Sequence, residues 1–274
     1  KDWLEERPKG VISLYTLANK EGIDGILVGA YSLLDGVSAS YGWEAASSNW
    51  LFGSIRGLEA NKGTDAGDSD GGLVSIKIYL ETSTNPYLAV KWREVYAAIA
   101  RCNMAIKATT LALEERTITQ EEAGLFVRQA RVLRGWYHFE AWRMWAMIPY
   151  VDENTDVATV SNTADVRDKI LSDLEAGTAL PLDMGQVGRF NGTVSKVLYA
   201  KALMQMKHDY AAALPVLQDV KTNGKKPNGE PIGLAPTYGE VFDIEHRNGI
   251  ESVYTVQYSV NDGSGGYNGG WGEV

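Results

Sequence analysis

The chain has 274 residues, 45% of them hydrophobic and 22% charged, the proportions of a globular protein with apolar material for one large core or two smaller ones. Its net charge of -9 argues against a nucleic-acid partner, because phosphate binding needs clustered Lys and Arg. A single cysteine, Cys102, excludes a disulfide framework or a thiolate-rich metal site within one chain, and no stretch reaches the roughly 18 consecutive apolar residues of a membrane span.

In chain order, Leu14 to Leu34 predicts a helix or two interrupted at Gly22 and Gly25. Residues 61–72 (NKGTDAGDSDGG) read as a loop by composition. A strong helix follows from about Tyr87 to Ala108, with Trp92, Val95, Tyr96, Ile99, Asn103 and Ile106 on one face at three- and four-residue spacing. Cys102 lies in that pattern as a small core residue. The next helix runs from Glu121 to about Met147. It opens on Thr119-Gln-Glu-Glu122, a capping box in which Thr and Glu exchange bonds with free backbone amides. Its two apolar stripes predict the most buried element of the protein, and Pro149 ends it.

A helix over about Ala164–Thr178 turns Val166, Ile170, Leu171 and Leu174 inward. Thr193 is expected to cap another, and Asp209 the one after, with Tyr210, Ala213, Leu214, Leu217 and Val220 inward and Gly224 as its stop. These elements form antiparallel helix pairs on short or medium loops. Beyond a Gly- and Pro-rich passage (223–239), Ser252 to Tyr258 alternate like a short strand, and the tail NDGSGGYNGGWGEV reads as a loop.

Four segments, in order, resemble the SusD/RagB family of starch- and nutrient-binding outer-membrane lipoproteins: Asn49–Asp68 (NWLFGSIRGLEANKGTDAGD), Trp92–Lys107 (WREVYAAIARCNMAIK), Gln129–Glu153 (QARVLRGWYHFEAWRMWAMIPYVDE), and Ser195–Leu214 paired with the strand-like Ile250–Ser259. The chain departs from the family pattern in three places: Gly135 stands for the usual Ala, Ala146 for the usual Gly before Pro149, and Gly57-Leu58-Glu59 where relatives often carry acidic residues. Members are usually much longer, so the resemblance implies that a C-terminal part is missing here.

It also implies a mainly α fold of four tetratricopeptide-like helical hairpins in a right-handed superhelix, with residues 87–222 as the helical core. Residues 223–274 would begin the irregular ligand-binding part of one SusD-like domain spanning 1–274. The implied activity is non-catalytic capture of a glycan or oligosaccharide and its delivery to a TonB-dependent, SusC-like outer-membrane transporter. The implied place is the surface of a Bacteroidetes cell, held by a lipid on a cysteine ahead of Lys1, with no other membrane contact. The alternatives are a tetratricopeptide-like protein-interaction scaffold and a glycan hydrolase.

Catalytic and metal chemistry find little support in the residues. Setting Gly71 at the glycine position of an EF-hand puts Ala66 at position 1 and Lys77 at position 12, so Asp65, Asp68 and Asp70 fail that calcium motif. A looser calcium site at this loop stays open. Glu59, Asp65 and Glu251 fall in no catalytic pattern, although 35 acidic residues guarantee chance pairs at glycosidase distances. His138, His208 and His246 lack metal spacing; His138 reads as a satisfied core residue. No cofactor is expected. Trp92, Trp136, Trp142 and Trp145 lie at core spacing, and Trp43 and Trp50 are open to either role. The expected ligand residues are therefore in two loops: Asn61, Asp65 and Asp68 in the first, Tyr258, Asn261, Asn268 and Trp271 in the second. Aromatic faces stack on sugar rings, and amides and carboxylates pair with sugar hydroxyls.

Overall fold

In the computed structural model, which describes residues 13–35, 50–61 and 71–257, two long antiparallel helices form the centre. Among the described residues, seven α-helices follow in order: α1 (Lys20–Tyr31), α2 (Gly71–Lys77), α3 (Pro86–Glu114), α4 (Gln120–Trp145), α5 (Arg167–Ala176), α6 (Gly192–Ala202) and α7 (Tyr210–Asn223). From α3 onward each helix packs on the next, and α1 lies against α3 and α4. This is the mainly α, tetratricopeptide-like hairpin arrangement expected. Leu51, Ile55, Leu73, Ile76 and Tyr87 make a smaller cluster where a π-turn at Leu51–Ile55 meets α2 and the start of α3.

Local chemistry sets the helix ends. Asn85 caps α3 by accepting the Tyr87 amide, and Pro86 sits in the first turn, where its missing N–H costs nothing. Apolar residues continue past Ala108, so α3 runs on to Glu114. The Thr119–Glu122 capping box forms as read, with both reciprocal bonds present. α4 shares the centre with α3 rather than dominating it: 14 of 29 residues are buried in α3 and 12 of 26 in α4.

The residues that carry the family pattern turn out to be packing residues. Trp92 meets Trp145 edge-on at 5.0 Å, the Tyr96 hydroxyl donates to the Pro149 carbonyl at 2.7 Å, and Asn103 donates to the Val151 carbonyl at 3.1 Å. Together they clamp the exit of α4 onto α3. Behind them, buried Arg134 grips Asp173 of α5 through two parallel bonds of 2.7 and 2.8 Å. It also donates to Asn103 at 2.9 Å and to Glu153 at 2.5 Å. Arg131 and the Tyr150 hydroxyl complete the shell of Asp173, at 2.9 and 2.6 Å. Burial first, then the Asp173 carboxylate, pushes the Tyr150 phenol up, which keeps it a donor. Gly135 belongs to the same junction: a Cβ there would stand 2.9 Å from the Leu174 backbone nitrogen, so α4 and α5 approach too closely for the family's usual Ala.

His138 is fully buried and satisfied on both nitrogens. Nδ1 lies 3.0 Å from the Arg134 carbonyl, and Nε2 accepts the Val151 amide at 3.1 Å, which fixes the neutral Nδ1–H form. Burial pushes its pKa down to about 4 from 6.5. The unfolded chain therefore binds a proton between those values that the folded chain does not. Stability is full above pH 6.5 and falls, by on the order of 3 kcal/mol from this group, as the pH drops to 4. Chemical denaturation at pH 7.5 and 4.5 checks this. His138→Gln is expected to show a smaller loss between the two pH values than the parent, and an equal loss would contradict the assignment.

α4 stops at Trp145. Ala146 has φ +54° and ψ −58°, the centre of a positive-φ γ-turn closed by the Met147 amide on the Trp145 carbonyl at 2.5 Å. The turn, rather than Pro149 three residues on, ends the helix. An alanine is strained there and a glycine is not, so Ala146→Gly is expected to raise stability by about 0.5–1 kcal/mol. A lower urea midpoint in the variant would contradict this.

Several expectations are corrected. α1 is continuous through Gly22 and Gly25; Asn19 caps it, and Gly22 is needed because a Cβ would meet the Leu17 carbonyl at 2.5 Å. Asn191, not Thr193, caps α6, while the Thr193 hydroxyl accepts the Lys225 amide at 2.9 Å. In α7, Asp209 caps as read, but Tyr210 and Leu214 are exposed. The buried arc is centred on Ala213 and Val220, and Leu214 lies about 100° round the helix from Ala213. Gly71 and Gly72 begin α2 rather than ending a loop. Residues 252–257 form no strand; Thr255 and Gln257 instead hydrogen-bond to the Asn248 side chain.

Candidate functional site

Of the seven expected ligand residues, Asn61 alone is among the described ones. Asp65, Asp68, Tyr258, Asn261, Asn268 and Trp271 lie outside them, as do Asp70 and Trp43. Asn61 is exposed, and its side-chain oxygen accepts from Lys77 at 2.8 Å. That bond ties the entrance of the 62–70 segment to the end of α2. The π-turn before it is held by an Arg56–Glu81 ion pair and by the Tyr79 hydroxyl donating to the Arg56 carbonyl. The flank of the first expected loop is thus fixed to the small Leu51–Tyr87 cluster.

Two cavities lie next to the flanks of the expected loops. The first, of about 480 Å³, lies between the Leu33–Leu34 turn, Phe52 and Gly53 of the π-turn, and α3, α4 and α6. The second, of about 270 Å³, is walled by α6, Phe190 and the segment 253–256 that leads to Tyr258. They share Leu34 and Trp136 as a common wall. The chain leading to each expected loop therefore borders a neighbouring cavity.

Their chemistry differs. The second is apolar, with Val194, Val197 and Leu198 facing Val253 and Val256, and the Tyr254 ring edge-on to Phe190 at 4.7 Å. The first combines Phe52, Trp136 and Tyr137 with Lys91, Glu94, Glu140, Arg143 and Lys201. Arg143 pairs with Glu140, and its guanidinium lies 5.8 Å from the Trp136 ring centre; the Lys201 ammonium lies 5.7 Å from the same ring. Trp136 is thus already engaged by cations. Burial holds the Lys91 ammonium below the usual lysine range. Flat rings beside forked donors and carboxylates can stack on a sugar ring while bonding its hydroxyls.

Sequence reasoning passed over Lys91, Glu94, Glu140 and Arg143. The signal was present: Lys91 and Glu94 stand among the buried positions of α3, where a charge is costly without partners. A third cleft, of about 590 Å³, borders Arg131, Asp152, Lys169 and Asp173 beside the α4–α5 junction. Among the described residues, no cluster of three or more His, Cys, Asp or Glu is placed to hold a metal ion, and no helix is long and apolar enough to cross a membrane. Cys102 is buried and its thiol is pushed up by burial.

Residues 2–202 match a model of the SusD-like family described as starch-binding and associating with the outer membrane. Among solved structures, the chain resembles surface glycan-binding protein A from Bacteroides thetaiotaomicron in complex with laminarihexaose. That match has a TM-score of 0.70 and 22% identity, covering 87% of this chain and 49% of that one. It also resembles a laminarin-binding SusD-like protein (TM-score 0.71, 22% identity, 86% and 50% covered). A SusD homolog from Bacteroides thetaiotaomicron VPI-5482 matches with a TM-score of 0.70 and 19% identity, over 92% and 50% of the two chains. At these identities the likeness shows the fold. The chain spans about half the length of these solved relatives. Comparison with curated proteins returned no match.

Proposed function

The chain belongs to the SusD-like family, and from that premise we propose that it binds a glycan without transforming it, at the outer surface of the outer membrane. The observation that carries this reading is the family match over residues 2–202, which takes in α1 through α6. Two solved relatives of the same fold are described by their laminarin or laminarihexaose ligands, which makes a β-glucan the first ligand to try. Delivery of the captured oligosaccharide to a TonB-dependent, SusC-like transporter belongs to the same proposal, as does anchoring by an N-terminal lipid. Residues 87–222 act as the helical scaffold, and 223–274 begin the irregular part that meets ligand.

The ligand residues proposed are Asn61, Asp65 and Asp68 in one loop and Tyr258, Asn261, Asn268 and Trp271 in the other. Two observations support this pairing. The helical aromatics Trp92, Trp142 and Trp145 pack against the core, which leaves few rings for sugar. The segments that flank both loops also border cavities that share a wall. A sugar stacked on Trp271 should lose on the order of 1 kcal/mol or more when the ring is removed. Affinity gels with Trp271→Ala, and Trp43→Ala as control, test it. Unchanged migration of Trp271→Ala on a polysaccharide that retards the parent would move the site elsewhere.

A further inference from the structure

α2 ends in a Schellman motif. The Leu80 amide donates to the Ser75 carbonyl at 2.9 Å and the Tyr79 amide to the Ile76 carbonyl at 3.3 Å. The residue that closes this motif takes a positive φ and is usually glycine, because a Cβ is strained there. Here it is Tyr79, with φ +59°. Strain of this kind concentrates where a chain holds a ligand. The ring is also fixed in place. Its hydroxyl donates to the Arg56 carbonyl, the Arg56 guanidinium lies 4.9 Å from its centre, and Arg56 is itself paired with Glu81. Yet Tyr79 is 50% exposed. A strained, anchored ring that fills no core is available to something outside the chain.

The segments that carry the ring say what that is. They present the Asn61 amide and the Thr82 and Thr84 hydroxyls, which lie 2.8 Å apart, together with exposed Leu58 and Leu80. A hexopyranose has C–H faces that stack on a ring and hydroxyl edges that bond amides and hydroxyls. The cations beside the ring are committed, Arg56 to Glu81 and Lys77 to Asn61, which suits a neutral sugar rather than an acidic one. We propose that Tyr79 is a stacking subsite for a neutral β-glucan at the entrance of the 62–70 loop, additional to the seven ligand residues above. The inference rests on the reading of the chain as a glycan-binding protein.

The test exploits the backbone. Tyr79→Gly removes the ring while relieving the strain, and Tyr79→Phe keeps the ring without its hydroxyl. In affinity electrophoresis on laminarin, Tyr79→Gly is expected to bind at least about fivefold more weakly than the parent, and Tyr79→Phe within about twofold of it. A second readout needs no variant and decides the matter if Tyr79→Gly fails to fold. Saturating laminarin should slow tetranitromethane nitration of Tyr79 in the parent severalfold and leave that of exposed Tyr238 unchanged. Retardation of Tyr79→Gly equal to the parent's, or nitration of Tyr79 unaffected by laminarin that retards the parent, would overturn the subsite and leave glycan capture standing. Equal loss in both variants would trace the effect to the hydroxyl's hold on the π-turn and overturn stacking. A parent that laminarin does not retard would overturn the β-glucan reading and the subsite together.

Discussion

Asp173→Ala is expected to destabilise the protein by about 3 kcal/mol, because the buried Arg134 cation loses its buried counter-charge and keeps only the partly exposed Glu153 carboxylate. Asp173 is 1% exposed and accepts from Arg134, Arg131 and Tyr150 at once. Removing it strands the Arg134 guanidinium between α3, α4 and α5 with Asn103 and Glu153 as its remaining partners. The same residues hold the α4 exit, so the loss should spread to the Pro149–Glu153 segment and speed its amide exchange. Urea denaturation of Asp173→Ala, Arg134→Met and the double variant separates the charge effect from the packing effect. The double variant should be less destabilised than the sum of the singles, because removing both charges leaves neither uncompensated. Additive losses would show that the pair is not coupled.

Leu133→Ala is expected to cost about 2–5 kcal/mol, from lost transfer energy and the cavity left behind. Leu133 is fully buried on α4, where α3 packs on one side and α5 on the other. Helices gripped on two sides collapse poorly around a deletion, which puts the value in the upper part of that range. A urea midpoint equal to the parent's would remove α4 from the core.

The fold was legible because its signature residues are structural. Arg131, Arg134 and Tyr150 converge on Asp173, Asn103 accepts from Arg134, and Asn103 and Tyr96 donate to the Val151 and Pro149 carbonyls, bonds that few other side chains satisfy, so their spacing can be read in a single sequence. The Thr119 and Asp209 caps were legible for the same reason: a short side chain meets a fixed amide. Where reading failed, tertiary context decided. The alternation in 252–257 has the period of a strand, but a ladder needs a backbone partner, and the bonds to Asn248 are made by the Thr255 and Gln257 side chains only. Thr193 has the chemistry of a cap, yet Asn191 two residues earlier reaches the Val194 amide and also pins the Leu182 and Lys225 carbonyls. The candidate site was far less legible. Rings and amides that hold a sugar are the same rings and amides that fill a core, and what distinguishes them is exposure. Charges at buried positions, Lys91 and Glu94, were the one sequence sign of the cavity beside Trp136.

The central claim, glycan capture without turnover, is tested most directly by native affinity electrophoresis of the protein across a panel of polysaccharides that includes laminarin, with reducing ends assayed in parallel. The account predicts that at least one polysaccharide retards the protein relative to a glycan-free gel, and that no reducing ends accumulate. Migration unchanged on every glycan, or sustained release of reducing ends that is lost on mutating a single carboxylate, would contradict it.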